Sequence, residues 1–143
     1  MDRKYNLNEL AMMTGLTTRT LRNYLAQGLL HGRKTDGVWE FSLEEIDKFF
    51  SEPFVKESLR IKRTSVVYDF LADRKKKEAA SCVILDIPCT VKKGNEISSF
   101  FCEKVNDASG ISFNYEWSGG HARVILSGSD ATVKEILTAY GEL

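Results

Sequence analysis

The chain has 143 residues with 20 Lys+Arg against 20 Asp+Glu, a formal net charge of zero. Its 43% hydrophobic and 28% charged residues suit a soluble folded protein of one or two small domains rather than a disordered one. No apolar run approaches the roughly 20 residues of a membrane span, and the polar segment Met1 to Asn8 lacks the apolar core of a signal peptide. Membrane insertion and secretion are therefore not expected, and a cytoplasmic location is. The neutrality is uneven: residues 1–80 hold 15 basic and 12 acidic side chains, residues 81–143 hold 5 and 8. Only the first half is expected to face a polyanion.

In chain order, Leu7 to Met13 reads as a helix whose Leu7, Leu10 and Ala11, with Leu16 beyond the turn, form one packed face. Gly15 supplies a permissive turn, Thr17 caps a second helix from Thr18 to Gln27, and Gly28 stops it. Two extended runs, Leu29 to Arg33 and Val38 to Phe41, flank Lys34-Thr35-Asp36-Gly37, a hairpin signal. Ser42 caps a third helix, Leu43 to Phe50, with Glu44 and Glu45 in the first turn where the dipole favours them. Pro53 suits the first position of the next helix. From Phe54 to Lys77 the pattern gives one helix, or two joined near Thr64-Ser65, with Val55, Leu59, Val66 and Phe70 at helical intervals. It serves either to dimerise or to pack on residues 43–50. The run Arg74 to Glu78 reads as a solvated helix end or linker.

The second half turns to strand signals. Cys82 to Ile87 is a β-rich run closed by Pro88, and Asn95 to Ala108 is helical. Ile111, Phe113, Tyr115 and Trp117 alternate with polar neighbours at period two. Gly119-Gly120 turns the chain, Ala122 to Ser127 returns as a strand, and Asp130 caps a last helix carrying Val133, Ile136, Leu137 and Tyr140. The order β-α-β-β-α is a ferredoxin-like half-sandwich without its final strand. The fold class is α+β in three parts: a winged helix-turn-helix over residues 1–52, a connecting or dimerisation helix over 53–80, and the ferredoxin-like unit over 81–143.

On that sheet Val83, Leu85, Ile87, Phe113, Tyr115, Trp117, Ala122, Val124 and Leu126 should face the helices. Cys82, Ile84, Asp86, Asn114, Glu116, Arg123 and Ile125 would lie on the other face, with no helix left to cover it. An uncovered face and a bare first strand are relieved most simply by self-association. The odd cysteine count (Cys82, Cys89, Cys102) is a poor disulfide framework, and its spacings fit no zinc pattern, so free thiols in a reducing compartment are expected. No metal and no cofactor are expected. No Ser/His/Asp set, glycine-rich phosphate loop or paired-carboxylate motif points to an enzyme.

The segment from Leu7 to Leu30 is the informative one. On its second helix Leu21, Tyr24 and Leu25 share an inward face, and Thr18, Arg19, Arg22 and Asn23 share the outward one. Short hydroxyls, two guanidinium groups and an amide are chemistry suited to base edges and phosphates of a major groove. From Arg3 to Lys34 there are six basic residues and one acidic, Glu9, a local basic footprint within a neutral chain.

These residues resemble the DNA-binding domain of the MerR family over Tyr5 to about Phe50. The resemblance implies a bacterial-type homodimeric transcription regulator on an inverted-repeat operator. It implies base or phosphate contacts from Thr18, Arg19 and Arg22, phosphate contact from Tyr24, and wing contact from Arg33. Thr17, Asn23 and Lys34, which stand beside them, complete the candidate DNA-binding set, although Asn23 replaces a tyrosine usual in the family. The wing departs from the family pattern: where Gly-Tyr-Arg-x-Tyr is usual, this chain has Gly37-Val38-Trp39-Glu40-Phe41. That Trp-x-Phe version looks more like excisionase-type relatives, whose resemblance implies an architectural DNA-bending factor as the alternative. The second half resembles, more loosely, ligand-sensing modules of the ACT type. That resemblance implies a small-molecule effector at a dimer interface; the charged residues of the uncovered face, Asp86, Glu116 and Arg123, are the candidate effector-binding residues.

Overall fold

The computed structural model describes residues 3–118 and 120–142. Its elements run β1 (Tyr5–Asn6), α1 (Leu7–Thr14), α2 (Thr18–Gln27), β2 (Arg33–Thr35), β3 (Val38–Phe41), α3 (Leu43–Ser51) and α4 (Pro53–Ala72). They continue as β4 (Ala80–Pro88), α5 (Val91–Asn106), β5 (Ile111–Ser118), β6 (His121–Ser129) and α6 (Asp130–Gly141).

Side chains close the helix ends of the first half. Asn6 accepts from the Glu9 N–H at 2.8 Å while Glu9 accepts from the Asn6 N–H at 3.0 Å, a reciprocal capping box. Gly15, at φ 74°, ends α1 by donating its N–H to Ala11. The positive φ calls for glycine, and a Cβ there would also press on the Asn114 side chain at 3.1 Å. The hairpin turn is narrower than the sequence suggests. Lys34 and Thr35 are strand residues paired with Trp39 and Val38, leaving Asp36 (φ 51°) and Gly37 (φ 79°) as a two-residue turn. Positive φ at both is what such a turn requires to match the strand twist. A strand the sequence reading missed, β1, pairs Tyr5 with Phe41 and completes a small sheet of order β1-β3-β2.

Helix α4 is continuous, with Pro53 in its first turn and no joint at Thr64-Ser65; the Thr64 hydroxyl bonds back to the Arg60 carbonyl at 2.9 Å. It stops at Ala72 rather than Lys77, and Lys76 folds back to the Phe70 and Asp73 carbonyls. In the second half β6 lies between β4 and β5 and is antiparallel to both, giving the order β4-β6-β5. Helix α5 begins at Val91, ahead of the expected Asn95, because Thr90 caps it through the Lys93 N–H at 3.2 Å. Gly94 in that first turn lies where a Cβ would come within 2.9 Å of Tyr115 and Trp117. Asp130 is not a cap: Ser129 holds that position, and Asp130 opens α6 bonded to the Ser81 hydroxyl and to Lys134. Of the expected glycine turn, Gly119 lies outside the described residues.

The inward face of the long sheet is as the alternation requires. Phe113, Tyr115, Ala122, Val124 and Leu126 are buried with Ile97, Phe101 and Val105 of α5 and Val133 and Ile136 of α6. The opposite face corrects an expectation. It is partly covered, because α4 crosses β6 and the end of α1 reaches β5. Asn114 is 2% exposed and Ile125 4%. The stripe Val55, Leu59, Arg63 is the buried edge of α4, so one helix serves both halves. Tyr5 donates to Asn95 at 2.5 Å, and a single buried cluster extends from Tyr5 and Leu10 through Leu59 to Phe101 and Leu126.

Candidate nucleic-acid interface

Helix α2 is held from beneath. Leu21 is fully buried, and Tyr24, 9% exposed, packs its ring 5.7 Å from Phe49 and edge-on at 6.3 Å from Phe54. Arg19, Arg22 and Asn23 stand exposed on the outward side, with Thr18 half-buried at the first turn. Thr17 is exposed and accepts from the Thr20 N–H at 3.1 Å, so its hydroxyl oxygen serves as the cap. Tyr24 thus lies on the inward face, apart from the other α2 residues that the resemblance names.

The hairpin β2–β3 supplies exposed Arg33 and Lys34. Lys34 sits 5.6 Å from the Trp39 ring, which stacks on Phe41 at 6.3 Å. Among the described residues Arg19, Arg22 and Arg33 form no ion pair. Arg3 is different: it pairs with Glu9 and lies 4.7 Å from the Tyr5 ring, so it adds less to the basic footprint than the sequence suggests.

Far along the chain, Asp86, Glu116 and Arg123 do come together. Arg123 donates from Nε and Nη2 to the two oxygens of Asp86 at 2.6 and 2.9 Å, and Glu116 lies opposite Arg123 in the β5–β6 register. With His121 they line a hollow of about 300 Å³. Hydrogen bonds from Arg123 hold the Asp86 carboxyl below its ordinary range. The sequence reading missed the fourth member, Arg63, which is 7% exposed and donates from Nη1 to Glu116 at 3.0 Å. Burial lowers the Arg63 pKa, an effect that Glu116 opposes. Its signal was the helical spacing from Val55 and Leu59, hidden by its charge.

A helix-turn-helix braced by a β-hairpin, with free cations on the outer helix and on the hairpin, defines a DNA-binding type of module. Residues 5–49 match the model of the MerR HTH family regulatory proteins, so this segment is similar to their helix-turn-helix domain. No curated protein and no solved structure matches the chain. Among the described residues no helix is long and apolar enough to cross a membrane.

Proposed function

We propose that this chain is a transcription regulator that binds double-stranded DNA as a homodimer. The observation that carries the reading is the outward face of α2, where Arg19, Arg22 and Asn23 are exposed and the arginines meet no carboxylate among the described residues. In this reading α2 enters the major groove. Arg22 and Asn23 read base edges, Thr17, Thr18 and Arg19 contact bases or phosphate, and Arg33 and Lys34 grip phosphate from the wing. Tyr24 acts mainly by fixing the helix from below.

Support for the dimer comes from β4, which pairs only with β6 among the described residues and leaves its other edge open. The element order of the second half supports a ferredoxin-like unit that associates through this edge. Two α2 helices would then enter successive major grooves about 34 Å apart, on an inverted repeat. The role is one of binding rather than catalysis, in the cytoplasm where the DNA is. Selection of bound DNA from a random pool, followed by a salt titration on the selected site, tests it. A symmetric consensus and affinity falling steeply with salt are expected. Lack of affinity for any duplex at low salt would overturn the reading.

A further inference from the structure

Arg63 is the one charged side chain among the described residues that is more than nine-tenths buried. Only its Nη1 has a partner, Glu116. Its Nε and Nη2 are closed to solvent and meet no acceptor among the described residues. The neighbouring Arg123 shows what this pair of nitrogens accepts, because its own Nε and Nη2 hold the two oxygens of one carboxylate, Asp86. The two nitrogens that hold a carboxylate in Arg123 have no protein acceptor in Arg63 among the described residues.

A groove of about 610 Å³ runs past Arg63 between α4 and the outer face of the sheet. Val67, Tyr68 and Leu71 of α4 form one wall, and Ile84 and Ile125 of the sheet form the other. Tyr68, Leu71 and Ile84 are at least half exposed, large apolar surface that a ligand could cover. The polar residues of its lining are Arg63, Thr64, Asp86 and Arg123; Asp86 and Arg123 already satisfy each other, and the Thr64 hydroxyl bonds to the Arg60 carbonyl. A ligand complementary to all of this has an apolar body and one carboxylate.

We propose that this groove binds a small carboxylic acid with an apolar body, its carboxylate seated on Nε and Nη2 of Arg63. Because that fork is closed to water, entry of the head group requires the α4 wall to shift. Helix α4 follows α3 with only Glu52 between them, so the shift is passed to the DNA-binding module. That regulatory consequence rests on the function proposed above; the site itself rests on the groove and on the two Arg63 nitrogens that meet no acceptor among the described residues.

The test titrates hexanoate, and 1-hexanol as its uncharged match, into the full-length chain without DNA, followed by backbone amide NMR. Saturable shifts are expected from hexanoate over residues 63–71, 84–86 and 123–125, with 1-hexanol at least about 10-fold weaker. Arg63→Lys keeps a cation for Glu116 but loses the planar fork, and should weaken hexanoate about 10-fold while leaving 1-hexanol unchanged. Leu71→Ser, at an exposed position where the fold should survive, should weaken both. Hexanoate that fails to saturate, equal binding of the two probes, shifts elsewhere, or Arg63→Lys binding like the parent would overturn the proposal. The titration contains no DNA, so its failure leaves the DNA-binding reading standing, and loss of that reading leaves the titration interpretable.

Discussion

Helices α2 and α4 each carry two arginines one turn apart, Arg19 and Arg22 on the first, Arg60 and Arg63 on the second. On α4 both are matched by carboxylates: Arg60 by Glu57 at 2.5 Å and Arg63 by Glu116 at 3.0 Å. On α2 neither is matched among the described residues. Like charges at this spacing mildly destabilise a helix, so the α2 pair costs the fold a little and leaves two guanidinium groups available to an outside anion. The α4 pair is used inside the molecule. Spacing and residue type are the same in both; what separates the two pairs is whether a carboxylate stands opposite among the described residues.

The largest effect should come from breaking the core that joins the two regions. Leu59 is fully buried on α4 and belongs to the cluster spanning both halves. Leu59→Ala should cost roughly 2–5 kcal/mol by lost burial and a cavity. Scanning calorimetry of parent and variant should show one transition moving down as a unit. Two separated transitions in the parent would mean that the halves do not share their stability, and the comparison would have to be redrawn for independent domains.

Next in size is the test of α2 against α4 on DNA. Arg22→Ala should weaken binding to the selected site by about 1–3 kcal/mol if it reads a base, with the melting temperature nearly unchanged because the side chain is exposed and forms no ion pair among the described residues. Arg60→Ala should leave DNA affinity as it was. Equal losses from the two variants, measured by fluorescence anisotropy, would show that overall positive charge rather than the α2 face holds the DNA. On the wing, Arg33→Ala should act more weakly and evenly across sequences, lowering the salt slope by about one. A change in sequence preference instead would assign Arg33 to a base edge.

Much of this arrangement was legible in the residues. Thr17 and Gly28 mark the ends of α2 because local capping chemistry decides them, and the strict alternation from Ile111 to Trp117 places Phe113 and Tyr115 inward. The partners across the fold were not legible. Tyr5 belongs to a two-residue strand, too short for any period, and is fixed by Phe41 and Asn95, 36 and 90 positions away. Arg63 sits on the buried stripe of α4, but a charge at such a position reads as solvated until Glu116 is seen beside it. The covering of the outer sheet face depends on where α4 travels, which no local pattern encodes. Alternation put Asp86, Glu116 and Arg123 on one sheet face together with Cys82, Ile84, Asn114 and Ile125; that the three are cross-strand neighbours follows from the register, which alternation does not specify.

The smallest effect concerns a half-exposed ion pair of the second sheet, Arg123 with Asp86. Arg123 and Asp86 are both about half exposed, so solvent screens their attraction and the contribution to stability is slight. Its sign is nonetheless fixed. Hydrogen bonds from Arg123 depress the Asp86 pKa in the folded chain, so the stabilisation is present above the ordinary aspartate value of about 3.9 and is lost as pH falls through the lower folded value. Asp86→Asn should therefore melt slightly below the parent at pH 6, and the two curves should converge as the pH is taken below about 4. Asparagine keeps one acceptor for Arg123 but sets an NH2 donor where the second carboxylate oxygen accepted, so the change of the difference with pH, rather than its size, reports ionisation. A gap that stayed constant down to pH 2 would show that the pair contributes through shape alone. In that case its carboxylate would be a poor guide to what the equivalent fork of Arg63 accepts.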